Sequence, residues 1–496
     1  MLPLGTILFP MIAGVAVSAI SMETRTRRSF YAAVMLVTDL LGLLTVFFGR
    51  TVTLFAFTNS IHMKFSVDPI GRYYMIVVML LYTCVLFYSF EYMNIEEREH
   101  IFFAFYFACF GALLSVALAG NLVTLYLCFE MATLTSMPLV LHEMSRDAVS
   151  AALKYLFYSV AGALMGLFAV FVACYYASDA DSFVQGGFLD LARTAGNEKI
   201  ILVIVFAGIL GFGTKAGMYP MHGWLPTAHP IAPAPASALL SGIIAKAGII
   251  AIIRLVFFSV GPDFIRGTWV QYAWMSIAML TIFMGSMMAF KEKVTKKRLA
   301  YSTVSQISYI SLGLSILSME GLAGGLLHLG AHAVSKGCLF LCAGVFIYKL
   351  GSHRVSELRG IGKQMPIVMW CFTIASLSLV GIPPLGGFIS KWYIALAAVG
   401  DGMGVFSILP PAVLLISALL TAGYLLPVTV DAFFPGKEEG KEEGKAAKGS
   451  REKAESREPS VLMTVPLIVL VCAALAVGVF GSRIAGILEA SLAGIF

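Results

Sequence analysis

The sequence predicts an all-α polytopic membrane protein with about 14 transmembrane helices. Three observations carry the prediction. Hydrophobic residues make up 59% of the 496-residue chain and charged residues 12%, about half the charged fraction of a soluble domain; mean hydropathy is +0.88. Apolar stretches recur along the whole chain, each long enough to cross a core roughly 30 Å thick at about 1.5 Å per residue. The charges are also unevenly placed, 14 of the 62 falling in residues 435–458. A soluble enzyme, a secreted disulfide scaffold and a disordered chain are excluded. The absence of roughly 10-residue alternating segments excludes a β-barrel.

In order, spans are expected at 2–21, 30–48, 70–90, 101–118, 121–141, 149–178 and 200–221. They continue at 235–260, 271–290, 299–317, 321–349, 366–397, 404–433 and 459–488. Residues 1–100 then hold three N-terminal helices, 101–260 and 271–433 two five-helix units, and 459–496 a final helix. The segment 435–458, with seven acidic and seven basic residues, is expected to be a flexible charged cytoplasmic loop. With the N-terminus outside, 22 loop cations fall on the inner side and 7 on the outer, which supports both termini on the outer side. Residues 1–21 lack a basic leading region, so they read as a retained helix rather than a cleaved signal.

Eight cysteines sit inside apolar spans with no CxxC spacing, so they read as packing residues and not as zinc or iron–sulfur ligands. No Walker A sequence and no dinucleotide-binding glycine fingerprint occur. No cofactor is therefore expected in this chain, and no nucleic-acid partner.

Five cations remain within spans: Lys215, Lys246, Arg254, Lys336 and Lys391. Asp39 and Glu130 are the clearest acids there. Each mid-bilayer charge costs roughly 2.5–3.5 kcal/mol on insertion scales and so asks for a reason. Snorkelling from a helix end suits Arg254 and Lys154. It suits Glu130, Lys215 and Lys391 poorly. A desolvated lysine whose charge state depends on a partner carboxylate is suited to proton transfer; a purely structural Glu130–Lys215 ion pair is the alternative. His328, His332 and Lys336 recur at i, i+4 and i+8, one polar stripe on one helix face. They read as a proton relay, with two-histidine metal ligation as the rival. Spans seven, eight and twelve are interrupted by Pro220 and Pro226, by Pro230, Pro233 and Pro235, and by Gly381-Ile382-Pro383-Pro384. Such breaks mark ion sites in transporters. Finally, Gly211-Phe212-Gly213-Thr214-Lys215 is echoed 176 residues later by Gly387-Phe388-Ile389-Ser390-Lys391, in a helix of opposite predicted direction, as inverted repeats require. The same offset carries Glu130 onto Gln306.

Several of these segments together resemble one family. They are Phe129-Glu130-Met131, the run from Gly211-Phe212 through Trp224-Leu225-Pro226 and Ser237-Ala238-Leu239-Leu240 to Lys246, Arg298-Leu299-Ala300-Tyr301-Ser302, His328, His332 and Gly387–Lys391. The chain is similar to the antiporter-like subunits shared by respiratory complex I, the Mrp Na⁺/H⁺ antiporters and the membrane-bound energy-converting hydrogenases. The resemblance implies fourteen helices with helices 4–8 and 9–13 as inverted repeats. It also implies a coupled Glu130–Lys215 pair, and an axis through Lys246 and the histidines to Lys391. It implies a prokaryotic inner membrane, companion membrane subunits, and H⁺, with Na⁺ exchange as a variant. A peripheral redox module would supply the energy. Ala228-His229-Pro230 and Ser241-Gly242 look most like the hydrogenase and formate hydrogenlyase branch. An Mrp subunit or an NADH-quinone oxidoreductase membrane-arm subunit is the alternative. The chain stops soon after helix fourteen, so the long lateral helix of the largest relatives is not expected. From other classes, a non-conducting structural subunit and a stand-alone solute transporter are the rivals.

Overall fold

The computed structural model describes residues 1–435 and 457–496. The predicted charged loop 435–458 lies, apart from its ends, outside the described residues. The chain opens with α1 (Leu2–Ala19) and α2 (Thr24–Phe48), then a hairpin of β1 (Val52–Thr58) and β2 (Ile61–Phe65), then α3 (Pro69–Tyr92), α4 (Glu99–Leu118), α5 (Leu122–Leu141) and α6 (Arg146–Tyr175). Side-chain caps start several of these helices: Asp68 accepts from the Gly71 amide, Asn121 from Thr124 and Ser145 from Ala148, satisfying donors a helix end leaves unpaired. The hairpin is antiparallel, pairing Val52 with Phe65 and Thr58 with Ile61. It was expected only as a loop.

Next come α7 (Glu198–Lys215), a turn, α8 (Leu225–Ile231), α9 (Ala234–Leu239), a widened π turn over Leu240–Ile244, and α10 (Lys246–Leu255). The chain continues through α11 (Trp269–Lys291), α12 (Thr295–Ser315), α13 (Met319–Leu350), α14 (Pro366–Val380), α15 (Gly386–Gly400), α16 (Val405–Phe433), α17 (Val461–Val479) and α18 (Gly481–Ser491). Every predicted apolar stretch is helical. Among the described residues, eleven helices are long and apolar enough to cross a membrane. The three stretches outside that set have visible reasons. Glu198, Lys199 and Lys215 charge α7, α12 is made polar by Ser302, Ser305, Gln306, Ser308 and Ser311, and the twelfth stretch divides into two 15-residue halves.

The centre of the bundle is the continuous Ala234–Val260 segment, wholly buried, with α4, α13 and α3 around it. Helices α1, α6, α16 and α17 bury the smaller part of their surface, and they turn Ile12, Phe157, Leu419 and Val461 outward. Apolar side chains facing outward as well as inward are what a lipid surround demands.

Two readings of the charges are corrected. Arg254 does not snorkel: it is fully buried, holds Asp68 at 2.6 and 2.8 Å through two guanidinium nitrogens, and stacks between the Phe183 and Phe258 rings at 4.8 Å each. The physical reason is a lid over the helix end, where Val184 and Phe188 amides donate to the Phe258 and Ser259 carbonyls. Lys296, counted with the inner loops, is also buried, its ammonium donating to the Pro230 and Ala232 carbonyls at 3.0 and 2.5 Å. Lys154 stays exposed and donates to Thr227 Oγ1, as snorkelling requires.

Candidate functional site

The predicted site residues lie in the bundle interior, and the helix breaks explain how they are held. Lys215 is the last residue of α7 and is fully buried. Its ammonium donates to Thr133 Oγ1 at 2.5 Å and lies 4.5 Å from the centre of the Phe129 ring. Thr133 and Phe129 flank Glu130 on α5, one turn away and adjacent respectively. Glu130 is half-buried and its Oε1 has no hydrogen-bond partner. None of the ion pairs among the described residues includes Glu130 or Lys215. The two residues share a helix neighbourhood without closing onto each other, so a locked structural ion pair is not what the fold builds.

Lys246 opens α10, directly after the π turn, and donates to the Ser241 carbonyl at 2.8 Å inside that turn. The Ser241 hydroxyl lies 2.7 Å from Thr303 Oγ1. Lys215 is packed alongside, its Cβ close to where a side chain at Gly248 would begin. Lys336, mid-way along α13, donates to the Leu299 carbonyl at 3.0 Å and to Ser302 Oγ at 2.7 Å. Tyr424 donates to the same serine oxygen.

One and two turns before Lys336, on the same helix, lie His332 and His328, their rings 6.1 Å apart. Both are fully buried. Ser390 Oγ lies 2.8 Å from His328 Nδ1 and 3.2 Å from the Gly387 carbonyl. His328 Nε2, both nitrogens of His332 and both amide atoms of Gln306 have no protein partner. Buried polar groups are nearly always bonded, so this row of open donors and acceptors marks a polar track. The sequence stripe at i, i+4 and i+8 is thus a spatial stripe as well. A metal-binding alternative finds no third ligand: no group of three His, Cys, Asp or Glu suited to a metal occurs among the described residues.

Lys391 ends the row. Glycine is needed at Gly381, where φ is +94°, a backbone region costly to any side chain. The turn it makes leaves the last carbonyls of α14 without amide partners. Lys391, 9% exposed, donates to two of them, Leu379 O at 2.6 Å and Val380 O at 3.1 Å. It also lies 4.8 Å from the centre of the Tyr309 ring. The two segments of the 176-residue echo sit differently relative to their helix breaks. Gly211–Lys215 closes the helix before its break, whereas Gly387–Lys391 opens the helix after its break.

Sequence reasoning missed Lys296 and His229. The latter is fully buried in α8, stacked on Phe340 at 4.8 Å, with both ring nitrogens unpartnered. The available signal for His229 was its position inside the proline-rich break, whereas Lys296 lies far from it in sequence.

The family model described as NADH:quinone oxidoreductase/Mrp antiporter, TM, matches residues 119–419, which include every predicted site residue. The chain belongs to this family. NADH-quinone oxidoreductase subunit N of Desulforudis audaxviator is 32% identical over 433 residues, 84% of this chain and 82% of that protein. Hydrogenase-4 component B of Escherichia coli is 32% identical over 343 residues, 66% of this chain but only 49% of the relative. In the Mrp complex from a Dietzia species, one chain superposes with a TM-score of 0.82 at 21% identity, covering 100% of this chain and 98% of that one. The fold is therefore that of an antiporter-like membrane subunit. The relatives' names divide among quinone oxidoreductase, hydrogenase and antiporter assemblies.

Proposed function

We propose that this antiporter-like subunit translocates protons as one member of a larger membrane complex, using Glu130, Lys215, Lys246, Lys336, His328, His332 and Lys391. The observation that carries the reading is the set of buried, titratable side chains in the bundle interior, with the half-buried Glu130 beside Lys215. The four lysines and His328 meet hydroxyls or backbone carbonyls rather than opposite charges, while Glu130 Oε1 and both nitrogens of His332 have no protein partner among the described residues. Such groups can take up and release protons without breaking a buried ion pair, which costs roughly 3–5 kcal/mol when one partner is removed. Glu130 acts as the switch charge: its ionised form favours the Lys215 ammonium and its neutral form favours proton release toward Lys246. The histidines then pass the proton along α13 to Lys391. Na⁺ exchange is the variant of this reading, and energy comes from partner subunits or an ion gradient.

For the branch, Ala228–Gly242 supports a hydrogenase or formate hydrogenlyase type assembly, and the near full-length match to a subunit N supports a quinone oxidoreductase. An Mrp-type Na⁺/H⁺ antiporter subunit remains the other alternative. The subunits that co-purify with the chain decide among them. The membrane is proposed to be the prokaryotic inner membrane, with both termini on its outer side.

Lys215→Ala is expected to abolish proton translocation while the complex still assembles. Normal translocation by an assembled Lys215→Ala complex would sink the mechanism and favour a non-conducting structural subunit.

A further inference from the structure

Resting on that reading, we infer that protons enter the central row through a separate mouth made of Glu96, His142 and Glu143, continuing through Lys296 and His229 to Lys336. The mouth is a cavity of about 200 Å³ lined by Ile95, Glu96, Glu97, Arg98, His142 and Glu143. It lies where the turn after α3 meets the end of α5. None of these residues belongs to the Glu130–Lys215 pair, and α12 and α8 supply the steps beneath.

Burial grades smoothly inward. Glu143 is exposed, Glu96 half-buried and His142 nine-tenths buried, while Lys296 is 5% exposed and His229 and Lys336 are fully enclosed. His142 packs its ring edge-on against Phe102 at 5.5 Å, and its Nε2 has no protein partner although it lines the cavity. A deeply buried imidazole with its Nε2 open at the base of an acidic mouth points to a mobile proton or cation there. The acidic cluster alone would not.

The next steps are joined electrostatically. The Lys296 ammonium lies within the electrostatic reach of Glu143 and Glu96. Its ammonium reaches the Ala232 carbonyl, three residues beyond His229. Lys296 also reaches the Pro230 carbonyl next to His229 at 3.0 Å, and Lys336 reaches the Leu299 carbonyl, three residues along α12 from Lys296, at 3.0 Å. Both nitrogens of His229 are free to accept on one side and donate on the other, which a relay requires. Glu96 suits a collecting role. Burial and the neighbouring Glu143 raise its carboxyl, against the pull of Lys296, to about 7. Burial holds His142 below its ordinary value, with Arg98 adding to that, so it is a neutral acceptor at pH 7. Glu97 and Arg98 complete the charged wall.

The test uses the assembled complex in sealed membrane vesicles, with dye-reported proton translocation measured from pH 6 to 9. Glu96→Gln/Glu143→Gln alters only the solvent end, and co-purification of the partner subunits checks assembly. The inference expects the rate to fall at least fivefold at pH 8. The loss should be smaller at pH 6, where bulk protons are plentiful, and Glu96→Asp should retain most of the rate. His229→Gln should show a similar loss at every pH. Wild-type rates in both variants, or an equal loss at all pH values in the carboxylate variant, would overturn the mouth. Loss of translocation in Lys215→Ala alongside wild-type rates in these variants would overturn the mouth alone. Normal translocation in Lys215→Ala would overturn the underlying reading instead.

Discussion

Thr133→Val tests whether the Lys215 charge is functional, because it changes one atom that matters. Valine has nearly the shape of threonine, and helix α5 loses only the Thr133 hydroxyl, which itself donates to the Phe129 carbonyl at 3.1 Å. What remains around the Lys215 ammonium is the Phe129 ring face at 4.5 Å. A hydrogen bond to a charged group is worth roughly 1.5–3 kcal/mol, and here no protein group replaces it. The charged form of Lys215 is disfavoured by that amount, a population change of about ten- to a hundredfold at roughly 1.4 kcal/mol per decade. If the ammonium is an obligatory state of the cycle, translocation falls by the same range. Thr133→Ser, which keeps the oxygen, stays near wild type. The assay is proton translocation in vesicles bearing the assembled complex. A Thr133→Val rate within twofold of wild type would refute the reasoning, because Lys215 would then be conducting without the side-chain acceptor it has among the described residues.

Gly387→Ala should destabilise the chain by about 1–3 kcal/mol as overpacking, since its Cβ would be driven into the Ser378 carbonyl; Gly400→Ala, with open space around it, is the control in a thermal-aggregation assay. Arg254→Met should lower the melting midpoint by stranding Asp68, and adding Asp68→Asn should recover part of the loss because the α3 cap survives. At the hairpin, burial alone would raise the Asp181 carboxyl, but hydrogen bonds from His62 and Lys64 hold it below the ordinary range. A depressed carboxyl stabilises above its unfolded value of about 3.9 and loses that contribution as pH falls through the folded value. Protease protection of residues 52–65 should therefore drop below about pH 4, and Asp181→Asn should remove that dependence.

The apolar stretches and the helix breaks were legible because lipid leaves a long, low-charge signal and proline and glycine leave a local one. The positions of Lys215, Lys246, His328, His332, Lys336 and Lys391 were legible for the same reason: a charge within an apolar run is conspicuous. Lys296 was hidden by its neighbours, since Lys296-Lys297-Arg298 reads as a surface cluster and only the fold shows the first of the three turning inward. Arg254 was misread because the lid over its helix end comes from residues 184–188, some 70 positions earlier in the chain. The 12 strand residues of the hairpin are too few to separate from a loop by alternation. Gly211–Lys215 and Gly387–Lys391 were legible as an echo, whereas the side of the break on which each falls, fixed by Gly381 in one case and by the turn after Lys215 in the other, was not.

The contrast between Arg254 and the buried lysines argues for a division of labour among intramembrane charges. Arg254 meets a full carboxylate, and a guanidinium does not titrate in proteins, so that pair is fixed and holds α3 to α10. Lys246, Lys296 and Lys391 instead meet backbone carbonyls at a π turn or a helix end. A helix C-terminus presents roughly half a negative charge spread over several oxygens. Such a site stabilises an ammonium, yet the carbonyls left behind when the proton departs cost about 1–3 kcal/mol, less than a stranded buried carboxylate. Under the proposed function, the broken helices are therefore what makes proton release affordable: they supply enough negative potential to hold a proton and too little to trap it. Glu130, a carboxylate on α5 beside the row, can then bias the direction of transfer, because none of the ion pairs among the described residues ties it to a counter-charge.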